Sequence, residues 1–169
     1  MDLVKKILGD DGLYPLINYK SRNLEFSFTH TNGYGESYHS YVNGQYTSDG
    51  GTHEAAFKEG VLKGINEYFH KSWAAPEIRD GIVATVAIKV MNPVFESQTK
   101  NKLGNTDVRA WIVPEVKAAV IDVLMKNKEI AKGLEEKILS NEKVHKEEAA
   151  VRYGAKEKAK RVAINIPKL

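Results

Sequence analysis

Residues 81–90 read Gly81-Ile82-Val83-Ala84-Thr85-Val86-Ala87-Ile88-Lys89-Val90, and this run limits the fold more than any other stretch of the chain. Side chains of a strand alternate between two faces, and here both faces are apolar apart from Thr85 and Lys89. Such a run is stable only where both faces are covered, which predicts a strand in the middle of a sheet. Met91-Asn92-Pro93 breaks it, since proline lacks the donor that a central strand needs. A polar loop follows, Phe95-Glu96-Ser97-Gln98-Thr99-Lys100-Asn101-Lys102-Leu103-Gly104-Asn105, and Asn105-Thr106-Asp107 then has the composition of a helix start. A strand end is a stiff platform, so a loop there can hold a cation toward something outside the domain. On pattern alone the better reading is a solvated loop whose two lysines are idle.

Leu24-Glu25-Phe26-Ser27-Phe28-Thr29 alternates strictly, which predicts a half-buried strand. Asn32-Gly33 is a favoured hairpin pair, so residues 36–42 are expected to fold back on that strand. Asn43-Gly44 marks a second turn. Tyr14 to Tyr19 forms a further strand candidate, weakened by Pro15. Residues 53–70 carry Phe57, Val61, Ile65, Tyr68 and Phe69 at helical spacing, with Thr52 the expected N-cap. Gly50 and Gly51 ahead of this helix fit a tight turn, and a phosphate site is the weaker reading. Gly60 and Gly64 inside it suggest close packing on a sheet, since each costs about 1 kcal/mol relative to Ala. Leu3, Val4, Ile7 and Leu8 predict a short helix near the N-terminus. A second long helical stretch begins at Val108 and Trp111, with Pro114 expected to interrupt or restart it and Asn127 to break it. Ile130, Leu134, Ile138 and Val144 continue as one long helix to about residue 160, charged and solvent-facing in its later part, with Gly154 marking a weaker end.

A length of 169 residues is one ordinary domain. The absence of cysteine excludes a disulfide framework, thiolate zinc sites and cysteine nucleophiles, and fits a reducing compartment. No apolar run reaches membrane-spanning length, so no membrane partner is expected. His30, His39, His53, His70 and His145 lack metal-ligand spacing, so no metal site is assigned. Ser48, His53 and Asp49 could be assembled into a hydrolytic triad only by chance. Tyr34, Tyr38, Tyr41 and Tyr46 are read as sheet packing rather than as base-stacking residues. The net charge of +3 is uneven: residues 126–169 hold twelve Lys and Arg against seven Asp and Glu. One basic face for a polyanion follows if the charge is more than a solvated helix.

Three blocks give the chain a family resemblance. Gln98-Thr99-Lys100, followed by Lys102-Leu103-Gly104-Asn105, resembles the QTK loop of type IIA DNA topoisomerase B subunits, meaning bacterial gyrase and topoisomerase IV. Asp49-Gly50-Gly51-Thr52-His53-Glu54 resembles the GGTH block of that family. Ile78-Arg79-Asp80-Gly81-Ile82 resembles its (V/A)REGL block, with Asp80 in place of the usual Glu. The resemblance covers nearly all of the chain from Leu24 onward, with the blocks in family order.

The resemblance implies the transducer domain of such a protein. It implies an α+β fold, a mixed β-sheet packed by helices, of the ribosomal protein S-five domain-two type with a left-handed βαβ crossover, plus a long C-terminal helix. Residues 1–20 would link to an ATPase domain, 21–126 form the core, 127–161 the long basic helix, and 162–169 the junction to a metal-binding cleavage (TOPRIM) domain. Lys100 and Gln98 match the residues that the family places on the ATP γ-phosphate, giving them the catalytic and cofactor-binding roles. ATP and Mg2+ would be bound mainly outside this chain. The implied partners are double-stranded DNA, the neighbouring ATPase and TOPRIM domains, the gyrase A or topoisomerase IV A subunit and a second B subunit, all in the cytoplasm. Lys146, Arg152, Lys156, Lys158, Lys160 and Arg161 are the expected DNA-facing cations. A stand-alone nucleic-acid-binding module of the same fold, with no nucleotide role, is the alternative.

Overall fold

A computed structural model describes residues 12–33, 35–48, 50–91 and 107–165, with side chains of the last segment described to Glu148. The predicted helix near residues 2–8, the loop with Gln98, Lys100 and Lys102, and residues 166–169 lie outside the described residues.

Among the described residues five strands form one mixed sheet: β1 Ile17–Lys20, β2 Leu24–His30, β3 Ser37–Val42, β4 Gln45–Tyr46 and β5 Ile82–Ile88. Their spatial order is β1-β2-β5-β3-β4, which puts the apolar run in the middle as its composition requires. β1 with β2, β2 with β5 and β3 with β4 are antiparallel, whereas β3 and β5 run parallel. The parallel pair is joined by a crossover through two helices, α1 Thr52–Phe69 and α2 Ala75–Arg79. Two more helices follow, α3 Val108–Lys126 and α4 Lys128–Asn165. The α+β class with a mixed sheet packed by helices is as expected.

The expected hairpin between β2 and β3 does not form. β5 lies between them, with Phe28 paired to Ala84 on one side and Ala84 to Tyr38 on the other. The run that is apolar on both faces takes the position where both faces are covered, and the local turn signal yields to it. The Asn43-Gly44 turn does close a hairpin: Tyr41 pairs with Tyr46, and both turn residues have positive φ, 51° and 83°.

β2 is buried more completely than its alternation predicts. Leu24, Phe26 and Phe28 face the helices, yet Ser27 and Thr29 on the other face are also 0–1% exposed. As an inner strand β2 is covered on both faces apart from part-exposed Glu25, and its hydroxyls find internal acceptors. Thr29 Oγ1 donates to the Tyr14 carbonyl at 3.0 Å and Ser27 Oγ to the Asn18 side chain.

Phe57 on α1 is the centre of the core. Its ring centroid lies 5.3 Å from that of Phe26, 5.9 Å from Phe28 and 6.4 Å from Tyr38. Gly60 and Gly64 do mark close packing, but against α3 rather than the sheet. A Cβ on Gly60 would lie 2.7 Å from Val116 Cβ, and one on Gly64 3.1 Å from the Lys117 carbonyl oxygen. α3 is one continuous helix with Pro114 inside it, so proline neither interrupts nor restarts it. Asn127 does break the run: its backbone is extended, and its Oδ1 accepts the Ile130 amide that opens α4. The 38 residues of α4 run on through Gly154, about 57 Å of helix. Among its described side chains, those of Ile130, Leu134 and Ile138 in its first part are buried in the apolar core.

Candidate functional site

The site follows from where β5 ends. The strand leaves the sheet at Ile88 and runs to Met91, immediately before residues 92–106. Both sides of this exit are pinned. From β1–β2, the Asn23 carbonyl accepts the Lys89 amide at 3.0 Å. From β3–β4, Asn43 acts through its backbone and its side chain. Its backbone amide donates to the Ile88 carbonyl at 2.9 Å. Its Oδ1 accepts the Val90 amide and its Nδ2 donates to the Val90 carbonyl, both at 2.9 Å. The chain returns at α3, where Val108 is fully buried and Arg109 Nη2 meets Glu59 Oε1 at 2.7 Å. The Arg109 hydrogen bond holds the Glu59 carboxyl below the usual carboxylate range. The two ends that flank residues 92–106 are therefore both fixed to the domain. Gln98 and Lys100 belong in sequence to residues 92–106, which lie outside the described residues. Asn43 was readable in sequence only as a turn residue, and its clamp on Val90 had no local signal.

The Gly50-Gly51-Thr52-His53-Glu54 block is a structural knot. Gly51, not Thr52, is the residue that precedes the helix, and no side chain caps it. The expected cap fails because Thr52 is already helical, and its Oγ1 is buried without a partner. Gly50 and Gly51 have φ of 72° and 134°, which side-chain-bearing residues resist. A Cβ on Gly50 would collide with the Glu54 carboxylate. That carboxylate also accepts from Ser40 Oγ at 3.3 Å and lies 3.7 Å from Lys58 Nζ. A negative group therefore already lies at this helix start, where it complements the helix dipole, and the tight-turn reading is the better one. His53 Nε2 contacts Thr47 Oγ1 at 3.3 Å, and Thr47 Oγ1 donates to the Ser40 carbonyl at 2.9 Å. Burial pushes the His53 imidazole down to about 4, so it is neutral at pH 7.

The third block, Ile78 to Ile82, starts β5. Gly81 has φ of 90°, and its amide donates to the Gly35 carbonyl at 2.7 Å. Asp80 accepts the Gly35 amide through Oδ1 and faces His145 Nε2 at 3.2 Å through Oδ2. His30 lies behind this turn. Its Nε2 donates to the Ile78 carbonyl at 2.7 Å, which leaves Nδ1 to accept the Tyr14 hydroxyl. Burial pushes His30 down to about 4 and Tyr14 upward.

Of the expected DNA-facing cations, Lys146 is exposed and bonded to Glu142 at 2.9 Å. Arg152, Lys156, Lys158, Lys160 and Arg161 lie along α4 beyond the described side chains. Among the described residues no cluster of His, Asp or Glu has the arrangement of a metal site, and no helix is long and apolar enough to cross a membrane.

The fold is one shared with solved type II topoisomerase structures. The 43K ATPase domain of Thermus thermophilus gyrase B, solved with an aminocoumarin, superposes with a TM-score of 0.70 and 30% identity, over 95% of this chain and 45% of that one. The B subunit of DNA topoisomerase 4 from Borreliella burgdorferi is 48% identical over 167 residues, which is 99% of this chain and 28% of that relative. The B subunit of DNA gyrase from Streptococcus pneumoniae is 33% identical over 142 residues, 79% of this chain and 22% of that relative. A model of the DNA gyrase B family matches residues 2–153. The chain belongs to that family, and it corresponds to a part of a type IIA topoisomerase B subunit, less than a third of the length of these two curated relatives.

Proposed function

We propose that this chain is the transducer domain of an ATP-dependent type II DNA topoisomerase and couples γ-phosphate sensing to DNA strand passage. The observation that supports this most directly is the double pinning of β5 at Asn23 and Asn43, one residue before the segment that contains Gln98-Thr99-Lys100. Lys100 offers a compact cation with three donors on a flexible stem, and Gln98 a neutral donor, a set suited to phosphate oxygens. On closure against a neighbouring ATPase domain, Lys100 would offset charge that develops during phosphoryl transfer. Loss of the γ-phosphate weakens the contact, and the angle between domains relaxes. ATP and Mg2+ are assigned mainly to that neighbouring domain.

The domain limits follow from the same reading: link 1–20, core 21–126, long helix 127–161 and junction 162–169 toward a TOPRIM domain. Double-stranded DNA meets the basic residues from Lys146 to Arg161. The A subunit and a second B subunit complete the cytoplasmic enzyme.

The test is ATP turnover by a full-length B subunit carrying Lys100→Ala, with nucleotide binding followed in parallel. The expected result is retained binding with turnover reduced by about 100-fold or more, the behaviour of a contact made in the transition state. Unchanged turnover would return the loop to a structural role and favour a nucleic-acid-binding module.

A further inference from the structure

α4 is held to the domain in two chemically different ways. Its first three turns insert Ile130, Leu134 and Ile138, each 0–3% exposed. The next turns present a polar stripe, Lys137, Asn141 and His145, spaced four residues apart on one helix face. Lys137 and Asn141 are 7% and 2% exposed, so the stripe is buried although it is polar. It closes over two segments that meet at the start of β5. Lys137 Nζ donates to the Gly33 carbonyl at 3.3 Å. Asn141 Nδ2 donates to both the Glu77 and Asp80 carbonyls, each at 2.9 Å, which uses both of its hydrogens. His145 lies between two carboxylates, 3.2 Å from Asp80 and 3.6 Å from Glu77. Gly81 must be glycine here, because a Cβ would lie 2.7 Å from Lys137 Cε and 2.8 Å from the Thr31 carbonyl oxygen.

We propose that this stripe is a releasable latch, which fixes the register of the long helix against the starting end of β5 and opens without unfolding the domain. Two observations carry the proposal. The latch is built from hydrogen bonds and histidine–carboxylate contacts, which water can replace once the helix lifts, whereas the apolar anchor loses burial if it moves. Beyond Ile138 the polar contacts of Asn141 and His145 stand without apolar support, since among the described residues there no apolar side chain of α4 is fully buried, and Lys137 alone of the stripe lies within the anchor. Opening therefore frees His145 and Asn141 and stops at Ile138, with Lys137 kept beside the anchor.

The position of the latch gives it a use, which rests on the transducer reading above. β5 spans seven residues, roughly 20 Å, with the latch at one end and the pinned exit toward Lys100 at the other. A displacement of the loop end is transmitted along one buried strand to the contact that holds the long helix.

The test uses Asn141→Leu, which keeps side-chain bulk and removes both donors, with His145→Ala as a milder second variant and Lys143→Ala, on the exposed face, as control. Backbone hydrogen exchange on the 169-residue chain is the primary readout. In Asn141→Leu, exchange in residues 138–148 should accelerate by about 10-fold or more while residues 52–69 and 82–88 keep their protection. Trp73 reports the same event, because its Nε1 donates to Glu142 at 2.9 Å, and a Trp111→Phe background isolates its emission. Exchange that is unchanged in both variants, or that rises equally everywhere, would overturn the latch. In the assembled topoisomerase, Asn141→Leu should retain ATP turnover within about threefold and lose strand passage by about tenfold. Helix release with both activities intact would overturn the coupling role and leave the latch standing. The transducer reading itself is judged separately by Lys100→Ala.

Discussion

Asn43 grips Val90 by both of its backbone groups, with two hydrogen bonds of 2.9 Å from one side-chain amide. The contact joins the tip of the β3–β4 hairpin to the exit of the central strand, with the Asn43 backbone at φ 51°. Asn43→Gly keeps that backbone and removes the clamp. The expected cost is about 1 kcal/mol in urea unfolding, with faster amide exchange at Val90. Asn43→Asp keeps the acceptor for the Val90 amide but sets a carboxylate oxygen against the Val90 carbonyl, so its protection should fall between that of Asn43 and that of Asn43→Gly. Equal exchange in the two variants would mean that the clamp does not hold the strand exit.

Phe57 touches both inner aromatic residues of β2 and is fully buried. Phe57→Ala should destabilise the domain by about 3–5 kcal/mol, through lost burial and the cavity it leaves. Phe57→Leu should cost clearly less. Thermal unfolding of the two variants ranks them.

Gly60→Ala sets helix propensity against sterics. Alanine is favoured in a helix interior by about 1 kcal/mol, but the new Cβ would meet Val116 at 2.7 Å and the Val113 carbonyl at 3.0 Å. Overpacking of this kind costs about 1–3 kcal/mol, so sterics win and stability falls. Gly64→Ala, with its nearest contact at 3.1 Å, should be tolerated better. A thermal shift in the opposite order would show that α1 and α3 separate easily.

His30 and His53 make stability depend on pH. Burial lowers both to about 4 in the folded state, against 6.5 for the unfolded chain. Between those values the unfolded state binds more protons, so stability is full above pH 6.5 and is lost as pH falls toward 4. Each histidine contributes on the order of 3 kcal/mol to that loss. His30→Asn should flatten part of the profile in urea titrations between about pH 7 and 4. A slope identical to that of the unsubstituted chain would mean that folding does not lower the His30 imidazole.

Periodicity in the sequence determined which stretches are strands and helices, and which of their faces are apolar. It placed residues 81–90 at the centre of a sheet, and it located the Asn43-Gly44 hairpin and the stripe through Phe57, Val61 and Ile65. Three motif blocks also carried the family resemblance, which depends on residue identity rather than on folding. The tertiary structure decided which elements are neighbours. A period of two says that a strand needs cover, not that β5 will come from far along the chain to part β2 from β3. Glycines at 60 and 64 say that something packs closely, and only the fold says that it is α3. Lys137, Asn141 and His145 read in sequence as one face of a charged helix. Their burial depends on carbonyl groups at Gly33, Glu77 and Asp80, which only a folded backbone brings beneath them. Side-chain pattern is local, whereas strand pairing and the satisfaction of buried polar groups join residues that are distant in sequence.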